Sequence, residues 1–374
     1  MIRALLATCC SVWLAAAEVP TRAEVTALLS QAQAWSLAQA QPDGALLPGR
    51  TFRLGITAFV ASALVSQPQA AGPDVPAVAA AVAYVAKHRQ PDGGVYDADE
   101  GLGCYGTSLA LLLAARLPPG AAGAFDVPAM QRYLFGNQNT QAGSLGQGGI
   151  GYGDQGKGFE DLSNTGYALQ ALRASGIPAQ DERMQAALQF LQRCQDLSTV
   201  NQQPWVANSG GGVYGPQEAT RSWSKGDESQ SPRYTPSGTM TYELLSSYLV
   251  LDLKADDPRV QAAVQWIAGH YSFDANPGLK PEAALQGLFH SYALAGSAFD
   301  LLAQHQLTLP DGRALDWRAD LFAALKQRAQ SAKLANGASG AFWINSAARW
   351  GEGLPNLCTG YAIRSLKAIA KTLP

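Results

Sequence analysis

The chain has 374 residues, of which 47% are hydrophobic and only 15% are charged, and its formal net charge is −2. A charge this small provides no electrostatic footprint for nucleic acid, so we predict no nucleic-acid partner. Beyond the first seventeen residues no apolar run approaches the length of a membrane-spanning helix, so we predict no integral membrane span in the mature chain.

The first residues have the pattern of a secretory signal peptide. Arg3 precedes an apolar stretch from Ala4 to Leu14 that is too short to cross a bilayer, and small residues follow at 15–17. We expect residues 1–17 to be a signal peptide, residues 18–374 to form one domain, and the mature chain to be periplasmic or extracellular. A buried first helix and a lipoprotein form stay open as alternatives.

A Gly-rich turn followed by a short apolar helix occurs six times along the chain. A Thr or Ser marks the opening of each apolar helix: Thr57, Thr107, Thr165, Thr241, Ser291 and Thr359. Spacings of this size are typical of stacked supersecondary units, each of which buries its apolar faces against its neighbours.

Two kinds of predicted helix alternate within these repeats. The first kind, as in 184–191 and 260–267, has one apolar and one polar face and suits an outer position. The second kind, as in 109–115 and 292–302, is apolar on all sides, which is typical of a buried helix. The alternation predicts an all-α (α/α)6 toroid, a double-walled ring with no sheet of more than two short strands.

The turns before the inner helices carry a family resemblance. Gln90-Pro91-Asp92-Gly93-Gly94 is a turn of the kind Gln-x-x-Asp-Gly-Gly before a Thr-containing helix. Such repeats resemble those of squalene and oxidosqualene cyclases and of protein prenyltransferase β subunits. Asp161–Thr165, Phe289–Ser291 and Pro355–Leu357 are similar to exported bacterial proteins with prenyltransferase/squalene-oxidase repeats. The resemblance spans about residues 24–370 and implies a toroid with an apolar central cavity, but it is weak evidence for a reaction.

His290 is the sharpest candidate for a catalytic residue, because it is the histidine that opens an inner helix. Phe289-His290-Ser291 resembles the segment that supplies the zinc-binding histidine of protein prenyltransferases. The Asp-x-Cys companion of those enzymes is missing, and Cys104 lies in a different repeat. A zinc site needs at least three protein ligands, so we predict no metal and no cofactor. An acid/base or ligand-contact role and a purely structural hydrogen-bonding role remain open for His290.

Two acidic segments complete the catalytic candidates. Asp97–Glu100 falls one residue short of the Asp-x-Asp-Asp motif of class II terpene cyclases and lies too far before Thr107, so a solvated loop is the preferred interpretation. Glu243 lies within an apolar helix, where a carboxyl group facing the cavity would have a raised pKa and could act as an acid. One step of rotation would instead place it between helices.

Aromatic residues near the starts of the inner helices are the candidates for ligand binding, because aromatic faces stabilise carbocations, although they also simply fill cores. They are Tyr105, Tyr167, Tyr242, Phe289, Tyr292, Trp350 and Tyr361. We expect the partner to be an apolar, terpenoid or lipid-like small molecule that the ring binds or processes. A non-catalytic interaction scaffold is the alternative. A carbohydrate-active toroid ranks lower, because no convincing pair of carboxylates is present.

Overall fold

The computed structural model describes residues 18–49, 52–153, 159–217 and 235–374, and the predicted signal peptide lies outside these residues. Helices account for almost all of the regular structure in the described ranges. They are α1 (Arg22–Ala38), α2 (Arg53–Val65), α3 (Pro76–Ala86), α4 (Gly103–Ala114), α5 (Pro119–Ala122), α6 (Val127–Gly136), α7 (Leu162–Ala174), α8 (Glu182–Arg193), α9 (Gly238–Val250), α10 (Pro258–Gly269), α11 (Leu288–Leu302), α12 (Trp317–Arg328) and α13 (Pro355–Thr372).

Six of these helices form a closed inner ring. In chain order α2, α4, α7, α9, α11 and α13 each pack against the next, and α13 packs against α2, so the last repeat meets the first. The other long helices, α1, α3, α6, α8, α10 and α12, lie outside them, and α5 is a single turn in a connection. The predicted (α/α)6 toroid is therefore confirmed.

Two antiparallel hairpins are the only sheets in the described part of the chain. Strands β1 (Gln306–Thr308) and β2 (Ala314–Asp316) pair with each other, as do β3 (Gln330–Lys333) and β4 (Ser339–Phe342). This agrees with the expectation of no sheet larger than two short strands. Among the described helices, none is long and apolar enough to span a membrane.

The repeated threonines pin each inner helix to the turn that precedes it. In five repeats the Thr Oγ1 accepts a hydrogen bond from a buried backbone N–H of the Gly-rich turn. The pairs are Leu46 N to Thr57 at 3.1 Å, Val95 N to Thr107 at 2.9 Å, Ile150 N to Thr165 at 2.9 Å, Gly212 N to Thr241 at 3.0 Å and Trp343 N to Thr359 at 3.2 Å. Each bond satisfies a donor that would otherwise be buried without a partner.

This role corrects one sequence expectation, that the inner helices open at the Thr or Ser. Helix α4 begins at Gly103 and α7 at Leu162, so Thr107 and Thr165 lie at the end of the first helical turn. The expectation was wrong because a Thr can serve as a cap or as a side-chain acceptor inside the first turn, and sequence alone does not separate these uses. At α7 the side-chain cap is Asp161, since its carboxylate accepts from the backbone N of Asn164 at 2.7 Å.

The glycines of the turns allow the turn to touch the next outer helix. Gly148 and Gly210 have φ values of 85° and 86°, which side chains other than glycine rarely adopt. A Cβ atom would lie 2.0 Å from the carbonyl oxygen of Ala186 at the first position and 2.4 Å from that of Ala262 at the second. The turns therefore fix the distance between the inner and outer walls.

Candidate functional site

Four of the predicted site residues meet inside the ring of inner helices, and we call this interior of the ring the lumen. Tyr105 and Tyr167 pack edge to face with ring centroids 5.4 Å apart, Tyr167 stacks on His290 at 6.0 Å, and His290 stacks on Tyr361 at 5.1 Å. Phe59 adds a fifth ring against Tyr361 at 4.8 Å. We call these five residues the aromatic cluster; they come from five different inner helices.

Hydroxyl groups link the cluster to the histidine. The Tyr167 hydroxyl lies 3.2 Å from Nε2 of His290, and the Tyr361 hydroxyl interacts with those of Tyr105 and Tyr167. Burial raises the pKa of Tyr167 to about 12 and, together with the positive charge of Arg364, lowers the pKa of His290 to about 3. At neutral pH His290 is therefore an uncharged imidazole that can accept or donate a hydrogen bond.

The repeat explains why three of these five side chains converge. Tyr167 and Tyr361 each follow the repeated Thr by two residues, and Phe59 stands at the same position of the first repeat. Equivalent positions on equivalent helices point in the same direction relative to the ring. Small residues next to this position make room for the neighbouring side chain: a Cβ on Gly360 would lie 2.9 Å from the Phe59 ring.

The other predicted aromatic residues lie elsewhere. Tyr242 packs against Phe299, and Phe289 against Tyr292, whose hydroxyl donates to the Phe273 carbonyl. All three predicted residues are buried among helices and none joins the aromatic cluster through a ring contact.

Trp350 lies apart from both groups. It is 46% exposed and covers Gly287, at the start of α11. The structure therefore places it at the rim of the ring rather than in the lumen.

Glu243 occupies the repeat position that Tyr167 and Tyr361 fill in their own helices, but it leans over Gly166 of α7. Its Oε1 accepts from the Gln170 amide at 3.2 Å, its Oε2 has no hydrogen-bond partner, and the side chain is fully buried. Burial is the main reason that its pKa rises to about 8. Glu243 is therefore a carboxylic acid that keeps its proton at neutral pH, and Gln170 connects it to Arg364 at 3.4 Å.

Glu352 is a functional neighbour that the sequence did not indicate. Its carboxylate accepts from the backbone N of His290 at 2.8 Å and from the Asn345 amide at 2.5 Å. Helix α11 has no side-chain cap of its own, so Glu352, from the next repeat, satisfies its first N–H groups and fixes the backbone of His290. The sequence alone does not indicate this hydrogen bond, because His290 and Glu352 are 62 positions apart and only the fold brings them together.

At the end of the ring where the inner helices begin, which we call the mouth of the lumen, the described loops form a rim with several exposed hydrophobic side chains. Exposed hydrophobic side chains in the loops that lead into these helices are Phe52, Tyr152, Phe159, Leu285, Ile344 and Trp350. A surface recess at the same end has Tyr105 in its wall, together with Phe52, Tyr96 and Leu102. The recess thus leads from the rim to one member of the aromatic cluster.

The acidic string Asp97–Glu100 borders this recess. Glu100 Oε1 accepts from the backbone N of Phe52 at 2.5 Å, and partial burial raises its pKa. In the described ranges no three His, Cys, Asp or Glu side chains are grouped closely enough to hold a metal ion.

Comparisons with known proteins identify the fold. No protein-family profile and no curated protein sequence matches the chain. Among solved structures, the apo type II terpene cyclase MstE from Scytonema superimposes with a TM-score of 0.56 at 15% identity, covering 95% of this chain and 100% of that one. A variant of MstE in complex with its product, merosterolic acid A, superimposes with a TM-score of 0.58 at 15% identity, covering 94% and 99%.

A third MstE structure, a variant in complex with its substrate geranylgeranyl dihydroxybenzoate, gives a TM-score of 0.51 at 14% identity over 94% of this chain and 99% of that one. Identities this low establish a shared fold and leave the reaction open. The similarity extends over nearly the whole length of both chains, and it agrees with the closed ring of six inner helices. The chain therefore has the α/α toroid fold of the terpenoid cyclases.

Proposed function

We propose that the ring binds an apolar, isoprenoid-type ligand at the mouth of its lumen, against the aromatic cluster. The observation that carries this proposal is the convergence of Tyr105, Tyr167, His290 and Tyr361 from four separate inner helices. A cluster of aromatic faces with a single uncharged imidazole is typical of a site that holds a hydrocarbon and orients it by a few polar groups.

The surroundings of the cluster support an apolar ligand. Tyr105 and His290 keep part of their surface accessible although protein surrounds them, so a ligand can contact them directly. The exposed hydrophobic rim offers an apolar route to the recess beside Tyr105. The molecules bound to MstE, a geranylgeranyl-bearing substrate and its product, are of the same chemical class.

Native mass spectrometry of the protein purified from its source cell, followed by titration with a neutral isoprenoid alcohol, tests this proposal. We expect Tyr167→Leu and His290→Ala each to weaken binding by about tenfold, since each removes a ring from the cluster. Tyr242→Leu is the matched control, because Tyr242 is buried outside the cluster. It should lower the melting temperature and leave the affinity unchanged.

Two results would contradict the proposal. Equal loss of affinity in Tyr167→Leu and Tyr242→Leu would show that general destabilisation weakens binding. Absence of any isoprenoid binding to the wild-type ring would favour the alternative function, a non-catalytic interaction scaffold.

We also propose that the chain is exported, on the basis of the apolar segment Ala4–Leu14 and the small residues that follow it. Expression with a carboxyl-terminal tag, cell fractionation and amino-terminal sequencing test this. We expect a mature chain in the extracytoplasmic fraction that begins near Glu18. A full-length chain in the cytoplasm would overturn the proposal.

A further inference from the structure

We propose that Arg116 and Arg364 form a binding site for an oxyanion inside the ring, one helical turn or more deeper than the aromatic cluster. This goes beyond the proposed isoprenoid site and does not depend on it, because the two arginines recognise charge and need no apolar group.

Both guanidinium groups contact helix α2. The Arg364 guanidinium stands over the Phe59 ring, 5.5 Å from its centroid. Arg116, just past the end of α4, donates through Nη1 to the hydroxyl of Ser62 and lies 3.4 Å from its carbonyl oxygen. Phe59 and Ser62 are three residues apart on one helix, so they lie on the same face, one turn from each other.

Arg364 is central in the lumen. Its positive charge acts on Tyr105 of α4 and on Arg116 just past the end of that helix. It also acts on Tyr167 of α7, on Glu243 of α9 and on His290 of α11. It therefore faces groups from four other inner helices. A ligand held by Arg364 would lie near the axis of the ring.

The two cations have no anionic partner in the described part of the chain. Neither forms an ion pair there, and the carboxyl group next to this site, Glu243, is held by Gln170 and is uncharged at neutral pH. Burial and the charge of Arg364 together lower the pKa of Arg116 to about 9. Two partly buried like charges without a counter-ion are unfavourable, and an anion between them would remove that cost.

Other arginines of the molecule show the contrast. Arg173 lies near the carboxyl-terminal end of α7, as Arg116 lies near that of α4. The Arg173 guanidinium pairs with the Asp252 carboxylate at 3.1 Å. Arg259 pairs with Asp257 at 2.6 Å and Arg318 with Asp316 at 2.5 Å. Within the described ranges, Arg116 and Arg364 have no such carboxylate.

The chemistry of the site fits a phosphate, diphosphate or carboxylate group. Guanidinium groups present planar forks of N–H donors that match these oxyanions in a bidentate manner. The Ser62 hydroxyl and the Gln170 amide stand beside the two forks and supply neutral partners. Both arginines keep part of their surface accessible, so a ligand can reach them.

Calorimetric titration and thermal melts in chloride buffer test the proposal, with inorganic pyrophosphate and sodium decanoate as separate probes. The wild-type protein should bind one of these probes, and its melting temperature should rise on binding. The preferred probe shows whether the oxyanion of the natural ligand is a phosphate ester or a carboxylate. Arg116→Gln and Arg364→Gln should each weaken binding by about tenfold or more, since a hydrogen bond to a charged group is lost. Arg173→Gln is the matched control and should change the affinity less than about twofold.

The unliganded variants give a second readout. If the two charges lack a counter-ion, removing one of them should not destabilise the unliganded protein, so without a probe Arg116→Gln should melt at or above the wild-type temperature. At saturating probe, the variant should melt below the wild type. Arg364→Lys keeps the charge but loses the fork, so it should fold and bind with intermediate affinity. Absence of probe binding to the wild type, or wild-type affinity for the probe in both glutamine variants, would overturn the proposal.

Discussion

At the scale of single residues, the centre of the ring holds most of its ionisable groups in uncharged forms. Burial raises the pKa of Glu243 to about 8 and that of Glu352 to about 7, and it lowers that of His290 to about 3. Near neutral pH Glu243 and His290 are therefore uncharged, and the positive charge beside the aromatic cluster is that of Arg364, over the Phe59 ring.

Glu243→Gln tests the protonation state of this carboxyl group. Because the folded pKa is above the ordinary value of 4.5, the folded protein keeps a proton that the unfolded chain releases, and stability falls as pH rises from about 4.5 to about 8. The variant lacks this contribution. Its free energy of unfolding relative to wild type should therefore increase between pH 5 and pH 8, with a limiting slope of about 1.4 kcal/mol per pH unit, and its melting temperature should rise with it.

Asp161 and Glu352, whose pKa values are also raised by burial, are present in both proteins and cancel in this difference. Above pH 8 the two curves should run parallel. A difference that is constant from pH 5 to pH 8 would contradict the assignment of a neutral Glu243.

At the scale of the elements, the recurring unit is an inner helix bound to its own turn through one Thr hydroxyl. Thr165→Val keeps the shape of the side chain and leaves the buried N–H of Ile150 without its acceptor. We expect a loss of about 1–3 kcal/mol in the free energy of unfolding, measured by urea denaturation.

Ser291 is the control for this prediction, because no turn N–H donates to it in the fifth repeat, where Glu352 caps the helix instead. Ser291→Ala should stay within about 0.5 kcal/mol of wild type. Similar losses in both variants would mean that the threonines act through side-chain packing rather than through the hydrogen bond.

Sequence periodicity was sufficient for the ring but not for the lumen. Six repeated openings and alternating helix types determine the toroid, since each is a property of a whole segment. Successive residues of an α-helix are rotated by 100°, so an error of one residue changes which side chain faces the axis of the ring. Tyr242 and Glu243 are adjacent in sequence and therefore have different neighbours. Counting two residues from the repeated Thr would have selected Phe59 and Glu243 as inward positions, and counting three more residues, close to one helical turn, would have selected Arg364. The contact of Glu352 with α11 requires the three-dimensional fold.

At the scale of the whole molecule, the ring depends on a seam between its last and first repeats. The buried Lys367 of α13 donates through Nζ to the carbonyl oxygens of Leu64 at 2.9 Å, of Ser66, and of Gln69 at 3.5 Å. The Asn356 amide donates to the Leu46 carbonyl at 2.7 Å. The Lys367 bonds satisfy carbonyl groups at and just after the end of α2, which no later residue of that helix can reach, and the Asn356 bond reaches the turn before α2.

Lys367→Met tests whether this seam stabilises the ring as a unit. The variant fills the same space and leaves the carbonyl groups without a donor, so we expect a loss of at least about 1–3 kcal/mol in the free energy of unfolding. In a closed ring this loss should reach both sides of the seam. Native-state hydrogen exchange should therefore become faster in α2 and in α13 together, and to a similar extent.

Lys371→Met is the matched control, because Lys371 lies one turn further along α13 and pairs at the surface with Asp300 at 2.7 Å. An exposed pair of this kind contributes less than about 1 kcal/mol, so its exchange pattern should match that of the wild type. If Lys367→Met accelerated exchange in α13 alone, the last repeat would be fraying as it does in an open solenoid, where each repeat depends only on its neighbours. Faster exchange on both sides would instead show that the first and last repeats fold as one cooperative unit, which keeps Phe59 and Tyr361 in contact across the seam.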